Sequence, residues 1–103
     1  HPPEAVFVAN NLMTLGSLRA VHEMGLRIPH DVALVGFDDM PWSGQLYPPL
    51  TAVAQPTYEL GREAVRLLLR RSTEPDAFFH TVVLQTRLVV RESCGAAIRQ
   101  EKS

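Results

Sequence analysis

The sequence predicts an α/β domain built on a parallel sheet. Three short apolar runs, at residues 5–9, 32–37 and 51–54, lack the alternation of half-exposed strands. Such runs are typical of strands buried on both faces, the usual state of a strand in a parallel sheet. A helix-length segment separates the first run from the second, and strand, helix and strand over about 30 residues form a βαβ unit with parallel strands.

Composition and charge restrict the class of protein. The chain has 103 residues, of which 46% are hydrophobic and 20% charged, as in ordinary globular domains. A net charge of −1 gives no electrostatic signature of binding to nucleic acid or to a membrane surface. No apolar run approaches the ~20 residues that cross a bilayer. The single Cys94 excludes an internal disulfide and is compatible with the cytoplasm. Any DNA-binding segment is therefore expected outside this chain.

The first half of the chain contains the βαβ unit. Strand 5–9 leads into a helix over residues 12–24, with Asn10 or Asn11 as N-cap and Gly25 as the residue after the C-cap. At 100° per residue, one arc of this helix predicts the core face. Its members are Met13, Ser17, Ala20, Val21 and Met24. Leu15 and Leu18 lie among polar residues on the other side of the helix. They are either ordinary exposed residues or part of a surface that binds a partner.

The second half contains a loop, a helix and the last strands. Residues 40–50 contain three prolines and predict a loop with at most one helical turn. A second helix is predicted from Pro56 to about residue 71, and its apolar face is too wide for a small sheet to cover alone. Residues 81–84 and 88–90 predict two short strands or one bent strand.

A polar residue follows each of the three apolar strands. Asn10, Asp38 and Gln55 would meet at one edge if the strands are parallel, and in open α/β sheets ligands bind at that edge. Two amides and a carboxylate offer both hydrogen-bond donors and acceptors, which suits a neutral polyhydroxylated or heterocyclic ligand. A phosphate is less well matched, because the sequence has no glycine-rich loop to bind it. We expect Gly36 to allow the backbone to turn before Asp38. The alternative, that each residue only caps a helix or turn, stays open.

The sequence contains no pattern that is typical of a catalytic site or of a metal site. None of the four histidines lies in a motif with a nucleophile, and Cys94 has no paired histidine. Asp38 and Asp39 are adjacent carboxylates without a Cys/His cluster. We therefore predict neither an enzyme, a metal site nor a cofactor.

Six segments together resemble a known family. They are AVFVANN (5–11), LGSLRA (15–20), GLRIPHDVALVGFDD (25–39), PPLTAVAQP (48–56), ELG (59–61) and LVVRESCG (88–95). In this order they resemble the C-terminal part of lactose/galactose-repressor (LacI/GalR) family transcriptional regulators. The resemblance implies a partial periplasmic-binding-protein-like (type I) fold, in which two α/β subdomains hold a small effector between them. Residues 1–54 and 85–97 would belong to the C-terminal subdomain and residues 56–84 to the N-terminal subdomain.

The same resemblance implies functional positions. Asn10, Asp38 and Gln55 match positions at which members of the family contact a small, sugar-like effector. A second set matches the homodimer contact: Leu15, Arg19, Gln45, Leu46 and Tyr47. Operator DNA would be bound by an N-terminal helix-turn-helix that is not in this chain, in a cytoplasmic protein. The alternatives are a periplasmic sugar-binding protein of an ABC importer, which shares the architecture, and an enzyme on an α/β scaffold.

Overall fold

The sheet is mainly parallel, as the sequence predicts. The structure is a computed structural model that describes residues 3–76 and 78–98. Its elements in chain order are β1 (Ala5–Val8), α1 (Asn11–Glu23), β2 (Ala33–Phe37), a 3₁₀ turn (Ser43–Gln45), β3 (Thr51–Ala54), α2 (Thr57–Thr73) and β4 (Arg87–Val89). The strands lie in the order β1-β2-β3-β4. The first three are parallel, and β4 pairs with β3 in the antiparallel direction.

The chain divides into two compact units. The first extends to Ala54 and resumes at Arg87, so that it contains the whole sheet and α1. The second, Gln55–Thr86, contains α2. Each unit is described by itself below.

The core of the first unit lies between the sheet and α1. Its buried members are Val8, Leu18, Leu34, Leu50 and Ala52. Strand β2 is central and mostly buried, as predicted, whereas β1 is an edge strand whose only buried side chain is Val8. The prediction that β1 is a buried strand is therefore wrong, because it has a neighbouring strand on one side only.

Helix α1 has the predicted ends. The Asn10 side chain accepts a hydrogen bond from the Met13 amide at 2.8 Å, which is the N-cap interaction. At the other end, Gly25 has φ +71° and its amide donates to the His22 carbonyl. The Leu26 amide donates to the Val21 carbonyl, which completes a Schellman C-cap.

The predicted core face of α1 is wrong. Its buried residues are Thr14 and Leu18, while Met13 and Met24 are exposed. Thr14 can face the sheet because its hydroxyl donates to the Asn10 carbonyl at 2.7 Å, which satisfies the polar group inside the core. Leu18, which the sequence placed on the polar side, is 6% exposed and packs in the core.

The second unit consists of a long helix and irregular chain. Helix α2 ends close to the predicted residue, and none of its side chains is buried. Several large apolar side chains of α2 are exposed, as expected from its wide apolar face: Tyr58, Leu60, Val65, Leu68 and Leu69. The strand predicted at residues 81–84 is absent, since the described part of this unit contains no strand with which it could pair.

Candidate functional site

The carboxyl ends of β1 and β2 bring two of the predicted site residues to one edge of the sheet. Val8 pairs with Gly36, and Asn10 and Asp38 each lie two residues beyond this pair. β3 runs in the same direction, with Val53 opposite Phe37, so it also ends at that edge. The strand ends thus have the arrangement from which the site was predicted, and contact of these residues with a ligand stays a prediction.

Asp38 has an unusual backbone conformation among the residues at this edge. Its φ is +82°, the only positive φ of a non-glycine residue in the described chain, and its side chain is half-buried. Its amide donates to the Val53 carbonyl at 3.0 Å, which continues the hydrogen-bond ladder beyond β2. Left-handed backbone in residues other than glycine is concentrated at functional sites, where the surroundings hold it in place.

Gly36 has a different role from the one that the sequence suggests. It lies inside β2, and the turn occurs at Asp38, so the prediction that Gly36 turns the backbone is wrong. A Cβ at Gly36 would lie 3.1 Å from Thr14 Oγ1 and 3.3 Å from Leu50 Cδ2. Glycine at this position allows α1 to approach the sheet closely.

Asn10 caps α1, so the alternative reading of this residue is observed. The cap engages the side-chain oxygen, and Nδ2 lies 3.1 Å from the Met13 sulfur, a weak acceptor. Since Asn10 is exposed, its Nδ2 group is available as a donor to a ligand. The two roles are compatible because they use different atoms.

Gln55 begins the second unit. It directly follows Ala54, the last residue of β3, and its backbone carbonyl accepts from the Thr57 amide at 2.9 Å. Its side chain is half-buried. The position at a strand end is therefore as predicted.

Asp39 forms an ion pair that the sequence did not reveal. Arg91 Nη1 and Nη2 donate to the two carboxylate oxygens of Asp39 at 2.6 and 3.1 Å, and Nη1 also donates to the Leu50 carbonyl at 2.6 Å. The Arg91 hydrogen bond holds the pKa of Asp39 below its ordinary value, against an opposing effect of burial. The same pair raises the pKa of Arg91. The arginine lies 52 residues further along the chain, and no local pattern links the two residues.

Ser93 connects the segment after β4 to two strands. Its hydroxyl donates to the Leu34 carbonyl and accepts from the Thr51 amide at 2.8 Å. Its amide donates to the Pro49 carbonyl, and its carbonyl accepts from the Leu34 amide. Ser93 is fully buried, so these bonds attach the segment after β4 to β2 and to the start of β3.

Comparison with known proteins identifies the family. The model of the periplasmic binding protein-like domain matches residues 1–94. The chain belongs to this family. It is 41% identical over 91 residues to the ribose operon repressor of Haemophilus influenzae, which covers 88% of this chain and 27% of the repressor.

Solved structures of regulators have the same fold as this periplasmic binding protein-like domain. The complex of the transcriptional regulator CelR with cellobiose matches with a TM-score of 0.81 and 47% identity, over 87% of this chain and 28% of that chain. The Lac repressor dimer bound to operator and an anti-inducer matches with a TM-score of 0.78 and 39% identity, over 89% and 28%. The predicted resemblance to LacI-family regulators is confirmed, and the chain spans less than a third of each of these relatives.

The residues predicted at the dimer contact of this domain lie in two segments of the first unit. Leu15 is 40% exposed on α1, and Arg19 is exposed with an ion pair to Glu23. In the loop before β3, Gln45 and Tyr47 are exposed. Leu46 is half-buried and packs against the core, so part of its side chain serves the fold of the domain itself.

Two kinds of structural feature are absent from the part of the chain that the structure describes. Among residues 3–76 and 78–98, no group of three or more His, Cys, Asp or Glu side chains has an arrangement that could hold a metal ion. Within the same ranges, no helix combines the length and the apolar character that a bilayer span requires.

Proposed function

We propose that this chain is the C-terminal part of the effector-binding and dimerisation region of a LacI-type bacterial transcriptional regulator. The observation that supports this most is the common edge at which three parallel strands end, with Asp38 held in a left-handed conformation. The relatives are regulators, which favours this function over a periplasmic sugar-binding protein of an ABC importer. In this proposal the protein is cytoplasmic, is not an enzyme and uses no cofactor.

The proposed ligand is a small sugar-like molecule. The Asp38 carboxylate would accept hydrogen bonds from ligand hydroxyl groups, and the amides of Asn10 and Gln55 would orient the ligand. A carboxylate acceptor with amide donors matches a neutral polyhydroxylated compound, which presents both donors and acceptors. One relative is a ribose operon repressor and another was solved as a complex with cellobiose, so these two sugars are the first probes to use.

The ligand would be bound between two subdomains. Residues 1–54 and 85–97 are proposed to form part of the C-terminal subdomain, and residues 56–84 part of the N-terminal one. The division of the chain at Gln55 and Arg87 into two compact units supports this assignment. The exposed apolar face of α2 would then pack against portions of the N-terminal subdomain outside this chain.

Regulation would occur by population shift. A ligand that binds better to one closure of the two subdomains stabilises that closure, and the size of the effect equals its differential affinity for the two states. In a homodimer this would change how two helix-turn-helix heads, outside this chain, contact operator DNA. One relative, the Lac repressor, was solved as a dimer bound to operator, which supports a dimeric regulator.

Substitution of Asp38 tests the ligand contact. In the full-length regulator, we expect Asp38→Ala to bind an operator fragment normally and to lose the response to the sugar, measured as the change in fluorescence anisotropy of the labelled DNA. Asp31→Ala is the matched control, because Asp31 lies before β2, at the opposite end of the strand, and pairs with the exposed Arg27. A response that is unchanged in Asp38→Ala contradicts the assignment of the site.

Substitution of Leu15 tests the dimer contact. A glutamate at this exposed position of α1 would place charges at the proposed interface, where they lose hydration without gaining a partner. We expect Leu15→Glu to shift the full-length protein from dimer to monomer in light scattering. Met24, at the C-cap of α1 and 69% exposed, is outside the predicted interface and offers a control, so Met24→Glu should leave the dimer intact. Dimers of unchanged mass in Leu15→Glu would contradict the proposed interface.

A further inference from the structure

The Arg91–Asp39 pair differs from the other ion pairs of the described chain. The side chains of Arg91 and Asp39 are 23% and 16% exposed, whereas those of Arg19 and Glu23 are 82% and 66% exposed. Its two parallel hydrogen bonds form the bidentate geometry that gives an arginine–carboxylate pair its directional specificity. Exposed pairs contribute little to stability, whereas both side chains of this pair are mostly buried, which favours a fixed geometry.

Arg91 is itself held in place on the first unit. Its amide donates to the Thr51 hydroxyl at 2.8 Å, and its guanidinium donates to the Leu50 carbonyl at 2.6 Å. Thr51 and Leu50 are almost fully buried. The guanidinium is therefore positioned by the start of β3 and transmits that position to the Asp39 carboxylate.

Asp39 follows directly after Asp38, the residue with φ +82°. On one side of this strained residue, its own amide is fixed by the Val53 carbonyl. On the other side, the side chain of the next residue is fixed by Arg91, and the next amide, that of Met40, donates to the buried Ser43 hydroxyl at 2.9 Å. A strained backbone conformation persists when its surroundings over-determine it in this way.

We infer that Arg91 is a positioning residue of the ligand site, which holds Asp39 and thereby keeps the Asp38 carboxylate in its binding orientation. This role rests on the proposed contact between Asp38 and the ligand. It requires the planar fork of arginine, because lysine offers a point charge and cannot form two parallel hydrogen bonds to one carboxylate.

The test compares Arg91→Lys with wild type in the full-length regulator, with D-ribose and cellobiose as probes in calorimetric titrations. We expect Arg91→Lys to weaken sugar binding about tenfold or more, the change produced by losing a hydrogen bond to a charged group. Arg27→Ala is the control, since it removes an exposed arginine–aspartate pair before β2. This control should bind the probes like wild type.

A ligand-free crystal structure of Arg91→Lys separates positioning from a general loss of stability. We expect Asp38 to leave the left-handed region or its carboxylate to rotate away from its wild-type position. Wild-type geometry of Asp38 in these crystals, or wild-type affinity in the titrations, would overturn the inference. The crystallographic result needs no ligand and decides the matter if neither sugar binds.

Asp38→Ala in the same titrations distinguishes the positioning role of Arg91 from the proposed contact between Asp38 and the ligand. If it loses binding while Arg91→Lys binds normally, only the positioning role is overturned. If it binds the sugar like wild type, the proposed site itself is contradicted, and the role of Arg91 falls with it.

Discussion

The buried hydroxyl of Ser93 gives a sharp test of how the first unit is held together. It is the hydrogen-bond acceptor for the Thr51 amide and the donor to the Leu34 carbonyl. Ser93, Thr51 and Leu34 are all 0% exposed. In Ser93→Ala the methyl group fits the same space, but two buried backbone groups each lose a hydrogen bond that water cannot replace.

The expected cost follows from these two groups. A buried donor or acceptor left without its partner costs about 1–3 kcal/mol, so Ser93→Ala should lower the free energy of unfolding by about 2–6 kcal/mol. A native domain is stable by only about 5–15 kcal/mol, so the loss would be large. Single substitutions that cost this much are associated with buried polar networks of this kind.

Urea unfolding of the full-length regulator measures the effect. Ser72→Ala is the matched control, because its hydroxyl donates to the Leu68 carbonyl on the exposed surface of α2. We expect the control to change stability by no more than about 0.5 kcal/mol. If Ser93→Ala unfolds at the same urea concentration as Ser72→Ala, the reasoning about the buried bonds is refuted.

Three further predictions follow from the geometry of the same unit. Gly36→Ala should destabilise the domain by about 1–3 kcal/mol in urea unfolding, because the new methyl group would press against α1 and the core; wild-type stability would contradict the close approach. Asn10→Ala should lower the free energy of unfolding by about 0.5–2 kcal/mol, because the N-cap of α1 is lost. Asn10→Ser should keep most of the wild-type stability, since serine is also a good N-cap, and equal stability of the two variants would argue against the cap. Because the folded-state pKa of Asp39 is lowered by Arg91, the pair stabilises the fold above the ordinary pKa of about 3.9 and loses this contribution as the pH falls through the lower folded-state pKa. The stability difference between wild type and Asp39→Asn should therefore shrink in acid, and a difference independent of pH would contradict the ion pair.

Local signals in the sequence predicted much of this fold. The three apolar runs became parallel strands, and Asn10 and Gly25 became the two caps of α1 as their side-chain chemistry requires. The caps depend on neighbouring residues only, and the parallel direction of the first two strands follows from their helical connection. For the same reason the polar residues at the strand ends could be predicted before the structure was known.

The features that sequence reasoning missed depend on distant parts of the chain. Hydrophobic periodicity places a threonine away from the core, yet Thr14 is buried because the Asn10 carbonyl accepts its hydroxyl hydrogen. The predicted strand at 81–84 has apolar residues but no partner strand in the described part of its unit. Arg91 and Asp39 lie close together in a fold in which β4 pairs with β3, 52 residues apart in the chain. Periodicity contains no information on such pairings.

A crystal structure of the full-length regulator with its effector tests the central claim most directly. We predict that a hydroxyl group of the ligand lies within hydrogen-bond distance of the Asp38 carboxylate, at the edge where β1, β2 and β3 end. The amides of Asn10 and Gln55 should face the same ligand. A bound effector whose polar groups contact none of these three residues would contradict the account.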